Sequence, residues 1–570
     1  MERTFTPRSI IGSSALARFL EREATLAPRK VLTVAATAGL GNAMILAIIN
    51  AAAEHAEQSQ TRPMYAVFFV VTMIVYVIAQ RWILIQAAEQ IEAIIHKVRM
   101  RIVRQLQHCE LLDVEHLGHG VIYSGIARHM QTLSQSASTL TIALQMGILI
   151  IFATAYIAYL SLISFVTLAV FMAIALSIYW RKSFSVKNDL RSTLEMDNNV
   201  YTVINDLLNG FKESKLNRAK ARAIILRIDE ISSKASLMRS NTQILLAQNF
   251  VFSQTTFNLL LGTMVFVVPM LTSGYSDVVQ KSTTAVLFII GPIAGLVGSI
   301  PIFENASTSA EAIMELEERL ETLSGIHESK EPISEVNDGE LHATPFSNFK
   351  TIELREAIFR YDSPSGDPRD SFSIGPIDLL VKRGETLFIT GGNGSGKSTL
   401  LKVFTGLYPL RSGRILVDGK RLDSKKVQDY RELFSAVFGD FYLFSHLYGI
   451  SNEALSEADD LIELLEIHHK VHLEGLDFST IDLSSGQRKR LALLSAMLEH
   501  RPILVLDEWA ADQDPMFRRK FYREILDRLR SFGVTVVAVT HDNRFFDAAD
   551  RQMHMEDGLI GAYNSEYFHD

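Results

Sequence analysis

The chain has 570 residues, 48% of them hydrophobic and 21% charged, with a mean hydropathy of +0.15. That apolar content excludes a disordered chain, which lacks the surface to offset conformational entropy. A formal net charge of −8 and a pI near 6.1 exclude a general nucleic-acid binder.

Long uncharged stretches crowd the first half, and the remainder has the composition of a water-soluble domain. The first residues carry Arg3, Arg8, Arg18, Glu21, Arg22 and Glu23 and lack the short apolar core of a secretory signal. Residues 1–30 therefore read as a cytoplasmic segment, with Ser13–Glu23 patterned as an amphipathic surface helix. A bilayer core of about 30 Å needs roughly 20 apolar helical residues. The stretches Val31–Ala53, Met64–Gln86, Leu140–Tyr159, Ile163–Trp180, Ile244–Leu271 and Thr283–Phe303 meet that demand, giving six expected spans within residues 31–322. Pro292 and Pro301 are expected to kink or end the last one.

Lysine and arginine gather in two long connections, from Lys97 to Arg104 and from Arg181 to Arg239, whereas the other turns carry almost none. Both termini and both long connections are thus expected on the cytoplasmic side of the membrane. Ala87–His108 and Phe184–Ser240 keep a helical period and should extend the spans into the cytoplasm, with breaks at Leu117–Gly120 and Leu208–Lys212 placing a short helix at each tip. Cys109, the lone cysteine, reads as a small buried hydrophobe. Gln243, Gln254 and Asn258 share one helical face, and Asn42 and Asn50 lie on another; both a wet cavity and interhelical hydrogen bonding fit them.

Residues 323–348 are polar and read as a linker, followed by a soluble domain at 349–570. Short β-branched runs at Thr386–Thr390, Ile503–Asp507 and Val534–Thr540 alternate with helical patterns, implying a largely parallel sheet covered on both faces. Directly after one such run comes Gly391-Gly392-Asn393-Gly394-Ser395-Gly396-Lys397-Ser398-Thr399, a phosphate-binding loop in its strand-then-helix context. Its glycines let backbone N–H groups turn toward phosphate, Lys397 reaches the terminal oxygens, and Ser398 is a Mg²⁺ ligand. Asp507, ending the run Ile503–Asp507, suits the Mg²⁺ shell, and Glu508 suits polarisation of the attacking water.

Leu483-Ser484-Ser485-Gly486-Gln487 resembles the LSGGQ signature of ATP-binding cassette (ABC) transporters, with Ser485 in place of the first glycine. The resemblance extends along nearly the whole chain and implies a type I exporter fold: a membrane α-helical domain of six spanning helices, then an α/β P-loop domain of ABC type. It implies that His541 is the switch histidine, Asp514 the D-loop aspartate, and Tyr361 the aromatic that stacks on adenine. It further implies that Ser484, Gly486 and Gln487 contact the γ-phosphate of ATP held by a second copy of the chain, so the working form is a homodimer. Two positions depart from the family pattern. Gly439 stands where a loop glutamine is usual, leaving Asp440 or water to complete the Mg²⁺ shell, and Trp509 stands where proline is common, without an evident consequence. The segments FSAVFGDFYLF and GFKESKLN resemble a subgroup exporting cyclic or nonribosomal peptides and peptide siderophores, of the pyoverdine and syringomycin type. The expected function is ATP-driven export of such a solute, with membrane lipid and a small peptide-like substrate as partners and no nucleic acid. A lipid or lipid-linked flippase and an ATP-gated membrane regulator share these motifs.

Overall fold

The computed structural model describes residues 14–23, 28–57, 63–174, 177, 200, 203–271, 276–324, 345–362 and 371–562. The chain forms two compact units, Met1–His108 with Leu117–Ile326, and Cys109–His116 with His327–Asp570.

In the first unit the apolar runs fold as long helices, because backbone groups in hydrocarbon must pair within their own segment. Five helices among the described residues are long and apolar enough to cross a membrane: Thr33–His55, Pro63–His108, His119–Leu160, Arg218–Met270 and Gln280–Ser324. A further apolar helix, Leu162–Ile174, is shorter, and the rest of the expected span Ile163–Trp180 lies almost wholly outside the described residues. Pro292 and Pro301 do not end their helix, which runs from Ser276 to Ser324 through both. Breaking it would leave several backbone groups unpaired in an apolar medium, a larger loss than the hydrogen bond each proline removes. Leu46, Ala153, Ile157, Phe257, Leu260, Ile289 and Ile293 form the buried core, while Val67, Phe68, Val70 and Val71 face outward, as lipid-exposed residues do. Close helix packing needs small residues: a Cβ on Gly39 would lie 2.6 Å from Ile148. Asn50 is buried and donates to Tyr156 Oη at 3.4 Å and the Lys281 carbonyl at 3.3 Å, an interhelical role; Gln243, Gln254 and Asn258 are exposed.

The helix Pro63–His108 continues past its apolar part, and the chain then breaks at Gly118 (φ 77°) and at Gly210, with short helices Leu111–Leu117 and Phe211–Leu216 at these tips. Near the start of the chain, the helix Ala15–Glu23 buries Ala15, Leu16, Phe19 and Glu23. The Glu23 carboxylate accepts from Arg22 at 3.0 Å, Arg101 at 2.5 Å and Lys97 at 3.1 Å, and Arg101 also reaches Glu317 at 2.7 Å.

Among the described residues the second unit contains twelve strands: β1 (Thr351–Arg360), β2 (Ser373–Lys382), β3 (Thr386–Gly391), β4 (Ser412–Val417), β5 (Lys420–Arg421), β6 (Phe434–Val437), β7 (Leu473–Glu474), β8 (Asp477–Phe478), β9 (Ile503–Asp507), β10 (Thr535–Val539), β11 (Arg551–Glu556) and β12 (Leu559–Ala562). Six form a sheet in the order β12-β11-β3-β10-β9-β6, parallel except for the β11–β12 edge pair; β2-β1-β4-β5 form an antiparallel sheet, and β7 and β8 a short hairpin. Every residue of β3, β9 and β10 is buried, as expected of parallel strands covered on both faces. One core gathers Phe388, Leu491, Leu494, Trp509, Phe521 and Tyr522; the other gathers Phe349, Leu354, Ile389, Leu401, Val505 and Val539. Leu111 and Leu112 pack against the second core, so Cys109–His116 belongs to this unit although its neighbours in sequence do not.

Candidate nucleotide site

The carboxyl ends of the parallel strands β3, β9 and β10 bring together three loops, the place where open α/β sheets bind ligands. After β3 the chain turns through Gly391–Gly396 into the helix Lys397–Phe404. Two glycines here are required by geometry. Gly391 has φ 147° and a Cβ would lie 2.1 Å from the Met555 carbonyl; Gly396 has φ 103° and a Cβ would meet Ile374 at 2.7 Å. Gly392 and Gly394 face open space, leaving room for a phosphate to approach the backbone. Lys397 is buried, and its ammonium donates to the carbonyls of Gly391 at 3.1 Å and Gly392 at 2.8 Å. Burial lowers its pKa, with Glu508 and Asp507 acting in the opposite direction.

Asp507 ends β9 beside this loop. Burial raises its carboxyl pKa against the hydrogen bonds from the Ser398 hydroxyl and the Gly439 backbone N–H. Its Oδ1, and the buried Ser395 Oγ, have no hydrogen-bond partner. A buried carboxylate oxygen without a partner beside a serine hydroxyl is a hard-oxygen donor set of the kind that holds Mg²⁺. Asp440, the other residue expected in a metal shell, is exposed, and its carboxylate lies 3.6 Å from the Lys402 ammonium.

Glu508 adopts φ 49°, a left-handed conformation costly for a residue with a side chain. Its backbone N–H donates to Val539 and its carboxylate lies 3.2 Å from His541 Nε2 and 4.0 Å from Lys397 Nζ. Thus Lys397, Glu508 and His541 come together in one group. The His541 loop is braced by Tyr522, whose hydroxyl is 2.6 Å from Thr540 Oγ1 and donates to Asp542 at 3.1 Å, and by the Arg518–Asp542 pair at 3.0 Å. Tyr361 presents its hydroxyl to Thr399 Oγ1 at 3.3 Å and sits among Phe359, Phe372 and Tyr408.

Ser484 caps the helix Ser485–Leu498 by a capping box with Gln487. Ser485 is an exposed residue in the first helical turn, where a side chain meets no obstacle, whereas a Cβ on Gly486 would lie 2.7 Å from the Asp512 carbonyl. Asp514 caps the helix Pro515–Lys520 and pairs with Arg490 at 2.7 Å; the Phe517 backbone N–H is the main cause of its lowered pKa.

Three residues that tie the signature helix to the loop after Asp507 carried no readable signal of that role in the sequence. Trp509 is buried, lies 4.6 Å from Phe521 and donates its indole N–H to the Lys489 carbonyl at 2.7 Å. Lys489 donates to the Glu508 carbonyl at 3.0 Å and pairs with Asp512 at 2.8 Å, while Arg490 lies 3.5 Å over the Phe517 ring. The departure at Trp509 therefore has a consequence: its ring and N–H fix the position of Glu508 relative to the signature helix.

Residues 374–511 match the family model described as ABC transporter. Over 530 residues, 92% of this chain and 91% of the relative, the chain is 32% identical to the ATP-binding protein SyrD of Pseudomonas syringae pv. syringae. It is also similar to energy-coupling factor transporter ATP-binding proteins of Streptococcus mutans (32% over 227 residues) and Streptococcus thermophilus (30% over 225 residues), each match covering 38% of this chain and 79% of the relative.

Proposed function

The chain belongs to the ABC transporter family and couples ATP hydrolysis to transport, and from that premise we propose that it exports a cyclic or nonribosomal peptide, or a peptide siderophore, across a bacterial inner membrane as a homodimer. The observation that carries this reading is the likeness to SyrD along 92% of the chain, which takes in the apolar helices as well as the nucleotide site. The resemblance of Gly210–Asn217 and Phe434–Phe444 to peptide exporters supports the substrate class.

In this reading ATP lies on the phosphate loop with its adenine against Tyr361 and its γ-phosphate near Lys397. Ser484, Gly486 and Gln487 of the second copy, presented at a helix N-terminus, contact the same phosphate. Ser398 and Asp507 would hold Mg²⁺, which supplies charge neutralisation on the phosphate oxygens. Glu508 takes a proton from the attacking water as the water oxygen bonds to the γ-phosphorus and the bond from that phosphorus to the bridging oxygen breaks, leaving ADP and inorganic phosphate, while His541 orients that water and phosphate. Closure of the two copies on ATP, and reopening after hydrolysis, alternates access to a path among the spanning helices.

The test is ATP-dependent accumulation in inverted vesicles, paired with ATPase stimulation by a peptide panel and a lipid panel. Stimulation by peptides with accumulation supports export. Stimulation by lipids alone replaces it with a flippase, and hydrolysis without any accumulation replaces it with an ATP-gated regulator.

A further inference from the structure

The loop at Gly439 has no side chain to connect the nucleotide site to anything else, yet a different set of residues makes such a connection. Lys402, on the helix that begins at Lys397, lies 3.6 Å from Glu115 Oε1 and 3.6 Å from Asp440 Oδ2, and donates to Tyr408 Oη at 3.4 Å. Tyr408 Oη donates in turn to Glu115 Oε2 at 2.8 Å. The Tyr408 ring stacks on Phe359 and meets the Tyr361 ring edge-on at 5.7 Å. Burial pushes the Tyr408 phenol up, with the hydrogen bonds to Tyr361 and Glu115 acting in the same direction, so the hydroxyl stays a donor. Two routes from the nucleotide site thus end on one carboxylate: the phosphate helix through Lys402, and the adenine-side aromatics through Tyr408.

That carboxylate belongs to the tip segment Cys109–His116, which Leu111, Leu112 and the Glu110–Arg431 ion pair also fasten to this unit. One ammonium faces two carboxylates, Glu115 and Asp440, and is only 15% exposed. The two carboxylates compete for this one ammonium at equal distance, with Glu115 the less exposed of the two and so less screened by solvent than Asp440, and a displacement of the Asp440 loop therefore alters the hold on Glu115.

We propose that Lys402, with Tyr408 and Glu115, is the joint through which nucleotide occupancy reaches the first cytoplasmic tip, taking the place of the side chain that Gly439 lacks. Lys402 is a positioning residue in this role, and the proposal rests on the ATP-driven transport reading. Asp440 serves as the loop's partner for Lys402 rather than as a metal ligand.

The native thiol of Cys109 reports on this segment, because its reactivity is governed by burial and by the nearby Asp113 and Glu110 carboxylates. The experiment uses the full chain in lipid nanodiscs with Glu508→Gln to hold nucleotide, and measures maleimide alkylation of Cys109 with and without Mg-ATP. Mg-ATP should change the rate at least about threefold, and Lys402→Met or Glu115→Gln should reduce that change to less than about 1.5-fold. Affinity for a fluorescent ATP analogue should stay within about twofold in both variants. Lys402→Arg should keep the response, because it retains a cation facing both Glu115 and Asp440, whereas a contact that only fills space would not distinguish arginine from methionine. A persistent response in Lys402→Met, no response in the starting protein, or loss of the response in Lys402→Arg overturns the proposal. A chain that does not bind the analogue at all overturns the transport reading, and this one with it.

Discussion

In the first unit, Glu23 and Glu317 are almost fully buried and every carboxylate oxygen has a cationic partner among Arg22, Lys97 and Arg101. In the second unit, Asp507 is buried to a similar degree, but its Oδ1 has no partner, and the adjacent Lys397 donates to backbone carbonyls. The two clusters bury charge at similar cost and dispose of it differently. A completed network holds helices together, and its residues gain nothing from a ligand. An uncompleted one keeps bonding capacity for an incoming group, at a cost to stability that binding recovers.

The largest test of this contrast lies at Glu508. Its replacement by glutamine should lower the ATPase rate by about 100- to 1,000-fold while leaving nucleotide affinity largely intact; a rate within tenfold of the starting protein would remove it as the base. Next, Arg101→Met leaves Glu317 Oε1 without a partner and Glu23 with only Arg22 and Lys97, and should cost about 1–3 kcal/mol of stability, read as a fall in the unfolding transition of the first unit. Asp507→Asn should do the reverse, abolishing Mg²⁺-dependent hydrolysis while leaving stability unchanged or raised by about 1 kcal/mol, since a poorly solvated carboxylate becomes neutral. If Asp507→Asn destabilises as Arg101→Met does, the distinction between the clusters fails.

The pH dependence separates them further. Burial works to raise the Glu23 pKa, but hydrogen bonds from Arg101 and Lys97 outweigh it and hold the group at about 2. A folded pKa below the unfolded value of 4.5 gives stability that is present above pH 4.5 and lost as pH falls toward 2. Unfolding temperature should therefore drop between about pH 5 and pH 2, and Glu23→Gln should flatten that drop.

The completed and uncompleted clusters were not equally visible in the sequence. The phosphate loop is legible because its geometry is local: strand, glycine turn and Lys397 occur in one run, and the backbone rule that demands Gly391 and Gly396 acts within it. The Glu23–Arg101–Glu317 network is illegible because its members are far apart in the chain, Arg22 and Glu317 being separated by 295 positions. The same holds for Tyr408 and Glu115, at 293 positions. Apolar length made five of the spans readable, and the breaks expected at Leu117–Gly120 and Leu208–Lys212 fall beside the short helices Leu111–Leu117 and Phe211–Leu216, since both signals depend on neighbours in sequence. Of the two outcomes expected at Pro292 and Pro301, an end to the helix does not occur, because the medium around a helix, which decides whether a proline ends it, is not written in the residues next to that proline.

The smallest effect is expected at Gly439, and it bears on the uncompleted cluster most directly. A Cβ there would lie 3.7 Å from Asp507 Oδ2, an ordinary contact, and no positive φ restricts the position, so Gly439→Gln meets no steric barrier. The backbone N–H that already donates to Asp507 is unaffected by the change. A glutamine oxygen at this position adds a neutral donor to a site that already offers Ser398 and Asp507, so the Mg²⁺ concentration for half-maximal ATPase should fall by about two- to tenfold. Maximal ATPase should change by less than about threefold, because Glu508, the proposed base, and the phosphate loop are untouched by the change. A loss of more than tenfold in maximal rate would mean that the glycine is needed for loop geometry, and that the absence of a side chain at 439 is itself part of how Asp507 is kept open to a ligand.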